Sequence, residues 1–226
     1  AVLGAGDVRG PVIGELNQPF NDGTYPDGLA YYVAGTKLYA LDVGTHLIIK
    51  QWDLGATSGL TGYGVPAVYR IDPQNTPGDP NDDEVRIVVA DKNGVVKMVG
   101  SWYCPVIWCP DGPYWDWWGS AWSMTDVGAD ASKASVLTGR NYLVYVLEDG
   151  VAADRLHAIN QWSGAIGWTT TLGPGSGSSS PAYYDGAPDR IFVGADKLYA
   201  VNANTGSIIW SRSLGSTINS APLVID

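Results

Sequence analysis

Cysteine is nearly absent: the chain has two, Cys104 and Cys109. The spacing C-P-V-I-W-C is too wide for a C-x-x-C redox motif, and no second pair completes a zinc site. Histidine is equally scarce, with only His46 and His157. His46 falls in a turn between strands and His157 at a repeated strand position, so neither reads as a catalytic base. Basic residues number 13 against 23 acidic ones, giving a net charge of −10. Phosphate-backbone binding needs the opposite balance, so nucleic acid is excluded as a partner. No apolar run approaches the ~18–20 residues of a transmembrane helix. No stretch shows a helical period, and no G-x-S-x-G, H-E-x-x-H or P-loop occurs. The Gly-rich run 173–180 leads into a strand, whereas phosphate loops lead into a helix, so it reads as a linker. Together these absences predict a protein that is not an enzyme.

What remains is rich in Gly (29), Pro (14), Tyr (13) and Trp (10), with 45% hydrophobic residues. That composition suits one folded domain of many short strands joined by tight turns. Glutamate occurs only at Glu15, Glu84 and Glu148. The other acids are Asp, a turn former and also the usual Ca²⁺ ligand. The start, Ala1–Gly6, lacks a basic region and reads equally as a processed N-terminus or an arbitrary boundary.

The chain repeats itself. KLYALD (37–42), RLHAIN (155–160) and KLYAVN (197–202) match closely, with VVKMVG (95–100) as a weaker copy. A turn and a further strand come after three of them: HLIIKQWDLG (46–55), GAIGWTTTLG (164–173) and GSIIWSRSLG (206–215). Apolar strands precede each copy, and before those come strands with small residues and often Pro. Each repeat thus reads as strands A, B, C and D over 9–55, 63–128, 131–173 and 178–215. SAPLVID (220–226) copies strand A a fifth time, as a surplus strand over about 219–226. Tandem four-stranded units predict an all-β β-propeller of antiparallel blades. Trp168 and Trp210, with Trp122 aligned to them, are expected to pack between blades.

The pattern KLYALD–TG–IIW–LG, with SSPAYYDG before it, resembles the PQQ-like propeller repeats. These occur in quinoprotein alcohol dehydrogenases and in outer-membrane assembly lipoproteins that carry no cofactor. The resemblance covers 29–55 and 164–226 well and implies a propeller. The dehydrogenases use eight blades and an adjacent Cys pair, neither of which this sequence offers, so the cofactor-free type is implied. The segment VPAVYRIDPQNTPGDPNDDEVRIVVADKNG resembles FG-GAP blades and the calcium-binding blade of type IV pilus tip adhesins.

Function in repeat proteins tends to sit where the repeat is broken. Insertions fall at 17–28, 72–84 and 102–119. In an up-and-down blade, A–B and C–D links leave at one end, so all three should decorate one face. Asp72, Asn75, Asp79, Asn81 and Asp83 are candidate Ca²⁺ ligands, although Pro73, Thr76 and Pro77 break the strict loop spacing. The alternative is a solvated acidic turn. Trp102, Trp108, Tyr114, Trp115, Trp117 and Trp118 form a candidate contact surface for protein or a sugar ring; a hydrophobic plug is the other reading. Cys104 and Cys109 are expected to form a local disulfide in an oxidising compartment. Alkylation without reductant should therefore add no mass; two labels would show free thiols. The sequence thus predicts an extracytoplasmic binding or scaffold module, with protein partners or self-association. The alternative is a filament or surface-layer subunit that exchanges its surplus strand. A fragment of a PQQ-dependent dehydrogenase is a third reading.

Overall fold

A computed structural model describes residues 8–13, 28–55, 62–71, 84–104, 114–117, 121–139 and 142–224. All its regular elements are strands. Two compact units are present: residues 1–61, 66–88 and 97–122 form one, and 62–65, 89–96 and 123–226 the other.

The first sheet orders β1 (Val8–Ile13), β2 (Leu29–Ala34), β3 (Lys37–Asp42) and β4 (Ile48–Asp53) side by side. The second contains β5 (Ala67–Ile71), β6 (Glu84–Ala90), β7 (Val95–Cys104) and β8 (Tyr114–Trp117), and β9 (Trp122–Asp126) also pairs with β7. The third is β10 (Leu137–Thr138), β11 (Leu143–Glu148), β12 (Arg155–Asn160) and β13 (Ile166–Thr171). The fourth is β14 (Ala182–Tyr184), β15 (Arg190–Gly194), β16 (Leu198–Asn202) and β17 (Ile208–Arg212). Three of the four sheets are the four-stranded antiparallel units expected from the repeats, and the second adds β9 as a fifth strand.

The turn between strands C and D explains much of the Asp and Asn usage. Asn160 Oδ1 accepts from Trp162 N (2.9 Å) and Ser163 N (3.0 Å). Asn202 Oδ1 does the same for Asn204 N (2.9 Å) and Thr205 N (3.0 Å). Asp42 repeats the turn with Gly44 N (2.9 Å) and the Thr45 hydroxyl (2.5 Å). The Thr45 hydroxyl, above all, holds the Asp42 carboxyl below the usual range. A short acceptor side chain at the strand end satisfies backbone donors the ladder leaves over.

Two expectations change here. Residues 102–119 are not one loop: β7 runs on to Cys104 and pairs with β8, matching Trp102 to Asp116 and Cys104 to Tyr114. The repeat there was hidden because its C strand is lengthened before the chain turns. The surplus segment forms no strand over 219–224. A ladder needs a partner, and no described strand offers it a B strand. The segment instead runs along the last sheet: Ile218 N donates to Ala195 O (2.8 Å), Ser179 Oγ to Ser220 O (2.9 Å) and Ser176 Oγ to Asn219 Oδ1 (2.8 Å).

Candidate interaction surface on the last blade

The third and fourth blades show how this repeat buries itself. Tyr145, Leu147, Leu156 and Ala158 of the third meet Ile191, Val193, Tyr199, Val201 and Ala203 of the fourth in one buried cluster, with Trp168 packed against it. Trp168 Nε1 and the Tyr145 hydroxyl both donate to Ala203 O, at 3.1 Å each. Their rings lie 5.8 Å apart, and Tyr145 also faces Tyr183 at 6.5 Å. Thr170 Oγ1 donates to Gly206 O at 2.5 Å. Gly206 has φ 74°, and a Cβ there would fall 2.7 Å from the Trp168 ring. Glycine is thus required twice, by its left-handed backbone and by the indole against it. In the first blade the matching position is His46, also left-handed at φ 60°.

On the same face of the fourth blade Trp210 takes the place of Trp168, and the segment 222–224 lies beside it. Ala158 pairs with Trp168 and Ala200 with Trp210, so the two indoles are equivalent. Trp210 is nonetheless 39% exposed. The expectation that Trp210 is buried between blades is therefore corrected: burial belongs to the neighbour, not to the tryptophan. Trp210 lies on Phe192, 5.7 Å between centroids, and Phe192 on Tyr184 at 6.5 Å. Arg190 covers the Tyr184 ring at 5.9 Å. Leu198, Pro222, Leu223 and Val224 complete a groove of about 370 Å³. Arg190 Nε is buried there with no hydrogen-bond partner among the described residues.

Trp122 is out of register with these rings. Val127 N donates to Gly94 O as Leu172 N does to Asp154 O. Counting back, Ser123 takes the Trp168 position and Trp122 projects to the other side, 38% exposed.

A buried polar network was missed in the sequence. Glu148 is 1% exposed and ends an otherwise apolar strand. His157 pairs across the ladder with Val146, two residues from Glu148, so both lie on one side of the sheet. His157 Nε2 meets Glu148 Oε2 at 2.8 Å and Nδ1 meets Thr169 Oγ1 at 2.9 Å; Arg155 Nη1 reaches both Glu148 oxygens at 3.0 and 3.2 Å. Carboxylates only accept, so Nε2 carries the proton and Nδ1 accepts from Thr169. His157 stands where Tyr39 and Tyr199 stand in other blades, and Tyr199 makes a comparable bond to Asp196 (2.6 Å). The network therefore joins three strands. The rarity of Glu, and its place in LVYVLE, was the available signal.

Burial, opposed by the hydrogen bond to Glu148, holds the His157 pKa below its ordinary value. The unfolded imidazole takes a proton below about pH 6.5 while the folded one still resists. Stability from His157 is thus present above about pH 6.5 and is lost as pH falls through the lower folded value. Asp154 works in the other direction, because burial raises its carboxyl. Between about pH 7.5 and 5.5 the melting temperature should fall more for the native chain than for His157→Gln. Equal profiles would remove His157 from the acid response.

Asp72, Asn75, Asp79, Asn81 and Asp83 lie outside the described residues, as do Cys109, Trp108 and Trp118. Trp102, Cys104, Tyr114, Trp115 and Trp117 lie on the β7–β8 hairpin. Among the described residues, no three His, Cys, Asp or Glu side chains converge as a metal site, and no helix is long and apolar enough to cross a membrane.

Residues 119–226 match the family described as outer membrane protein assembly factor BamB. No curated protein matches the chain. Among solved structures, BamB from Moraxella catarrhalis is 17% identical, with a TM-score of 0.53 over 88% of this chain and 53% of that one. Sqt1 from Saccharomyces cerevisiae is 13% identical, with a TM-score of 0.57 over 93% and 50%. The quinohemoprotein alcohol dehydrogenase from Comamonas testosteroni is 17% identical, with a TM-score of 0.53 over 87% and 38%. The chain spans about half the length of the first two and less of the third. At such identities the likeness is one of fold. Residues 119–226 are thus similar to the PQQ-like β-propeller repeats, and the likeness of the whole chain to these propellers is one of fold.

Proposed function

We propose that the chain is a non-catalytic binding or scaffold module that works outside the cytoplasm and engages protein. The exposed Trp210–Phe192–Tyr184 face carries this reading. Its twin on the third blade is partly buried against the fourth, and Trp and Tyr are enriched at the centres of protein contacts. An extracytoplasmic place is supported by the match to an outer membrane assembly factor. The hairpin that carries Trp102, Trp115 and Trp117 offers a second contact surface, and the acidic segment at 72–83 a calcium site.

A photo-crosslinking residue at Ile209, beside Trp210, tests this in cells that make the protein. Protein adducts should form there, should be absent from the same residue placed at Val151, and should be lost with Trp210→Asp. Equal adducts at both positions, or adducts that survive Trp210→Asp, would overturn the reading. The alternative, a self-assembling subunit, is identified if the adduct is the chain itself.

A further inference from the structure

We infer that the third blade carries a binding site for a neutral oligosaccharide, built on the ring pair Tyr142 and Trp162. The site stands apart from the Trp210 face and goes beyond the protein-binding reading.

The repeat marks both residues as departures. Gln161 N donates to Tyr142 O (3.1 Å), Val43 N to Gly28 O (3.1 Å) and Ala203 N to Asp189 O (3.0 Å), so one bond closes the same end of the third, first and fourth blades. The acceptor is Tyr142, Gly28 or Asp189, and the residue after the donor is Trp162, Gly44 or Asn204. Of these three blades, the third alone puts aromatic rings at both places. Tyr142 does so against the backbone. It is left-handed at φ 57°, where the first blade has Gly28 at φ 83°. A bulky side chain in that region is strained, whereas glycine is at ease. Strain of this kind gathers at sites that bind.

The pair is exposed and held in place. Tyr142 is 45% and Trp162 49% exposed, with ring centroids 6.0 Å apart and planes at 49°. Asn160 Oδ1 fixes the turn through Trp162 N and Ser163 N. A Cβ on Gly164 would fall 2.2 Å from Met124 O, so the turn lies against β9. A platform set beforehand loses little freedom when a ligand arrives.

The surroundings select the ligand. Residues 160–165 read N-Q-W-S-G-A and carry no charge, in a chain of net charge −10. Amides and a hydroxyl beside aromatic rings suit a molecule with apolar C–H faces and uncharged hydroxyl edges, which is a pyranose. Gln161, whose backbone joins the two ring positions, is buried, and its Nε2 lacks an acceptor among the described residues. A ligand rich in hydroxyls offers acceptors that an aliphatic side chain would not. The ring spacing is comparable to that of successive sugars in a β-1,4-linked chain, whose equatorial substituents leave the ring faces flat. Two rings at one blade end are also too small for a stable protein interface, which buries on the order of 1,600 Å².

Saturation-transfer NMR on the full chain with cellohexaose and with chitohexaose tests this. At least one should receive transfer at its ring C–H protons, with a Kd of ~1 mM or tighter. Trp162→Asn and Tyr142→Gly copy residues of the fourth and first blades, so the repeat has room for both. Each should weaken binding at least about tenfold. Tyr142→Gly should do so without lowering the melting temperature, because glycine relieves the left-handed strain. Trp122→Ala, which removes an exposed indole elsewhere, should leave binding unchanged. No transfer to either sugar at ~10 mM would overturn the inference, as would transfer that survives Trp162→Asn or is lost with Trp122→Ala. A large fall in midpoint with Tyr142→Gly would make the pair a packing device and overturn it too. An oligoproline peptide that binds through Trp162 where both sugars fail would give the pair to a protein segment instead.

Discussion

Trp168→Ala should cost about 3–5 kcal/mol, whereas Trp210→Ala in the same chain should cost less than about 1 kcal/mol. The two indoles share a position in the repeat and differ only in what covers them. Removing Trp168 opens a cavity between two blades, breaks the bond to Ala203 O and separates Tyr145 from its ring partner. Trp210 packs on Phe192 but is 39% exposed, so its removal opens no enclosed cavity. Urea denaturation of both variants checks this. Similar losses would mean that the fourth blade's face is covered in solution.

Glu148→Ala should be the most damaging single change in the polar interior, at about 3 kcal/mol. It leaves a small void and strands the His157 Nε2 donor, which is buried. Glu148→Gln should do less harm, because the amide oxygen still accepts from Nε2 although the charge facing Arg155 is gone. Thermal unfolding of both variants should therefore separate them. Equal losses would assign the effect to charge and not to the hydrogen bond.

Strands B and C were legible almost to the residue in three blades. Their apolar alternation ends on Asp42, Asn160 and Asn202, whose side chains build the same turn each time. The second blade resisted because β7 is lengthened and paired with β8 before the chain returns. Trp122 is misaligned because it stands five residues before Val127, whereas Trp168 stands four before Leu172, and a one-residue offset turns a side chain to the opposite face. The exposure of Trp210 could not be read at all, since sequence identity with Trp168 says nothing about a neighbour. The Glu148–His157 pair was hidden by the ladder, which brings together residues that periodicity alone does not relate.

β17 presents all five of its side chains to solvent and is the edge strand of its sheet. In a protein whose blades lean mainly on their neighbours, such an edge opens without the rest. Its amide protons should exchange with deuterium by local fraying, while those of β11 and β12 wait for a larger opening. The edge strand thereby sets where a protease first finds the chain, and covering it would lengthen the protein's life as much as it raised its midpoint.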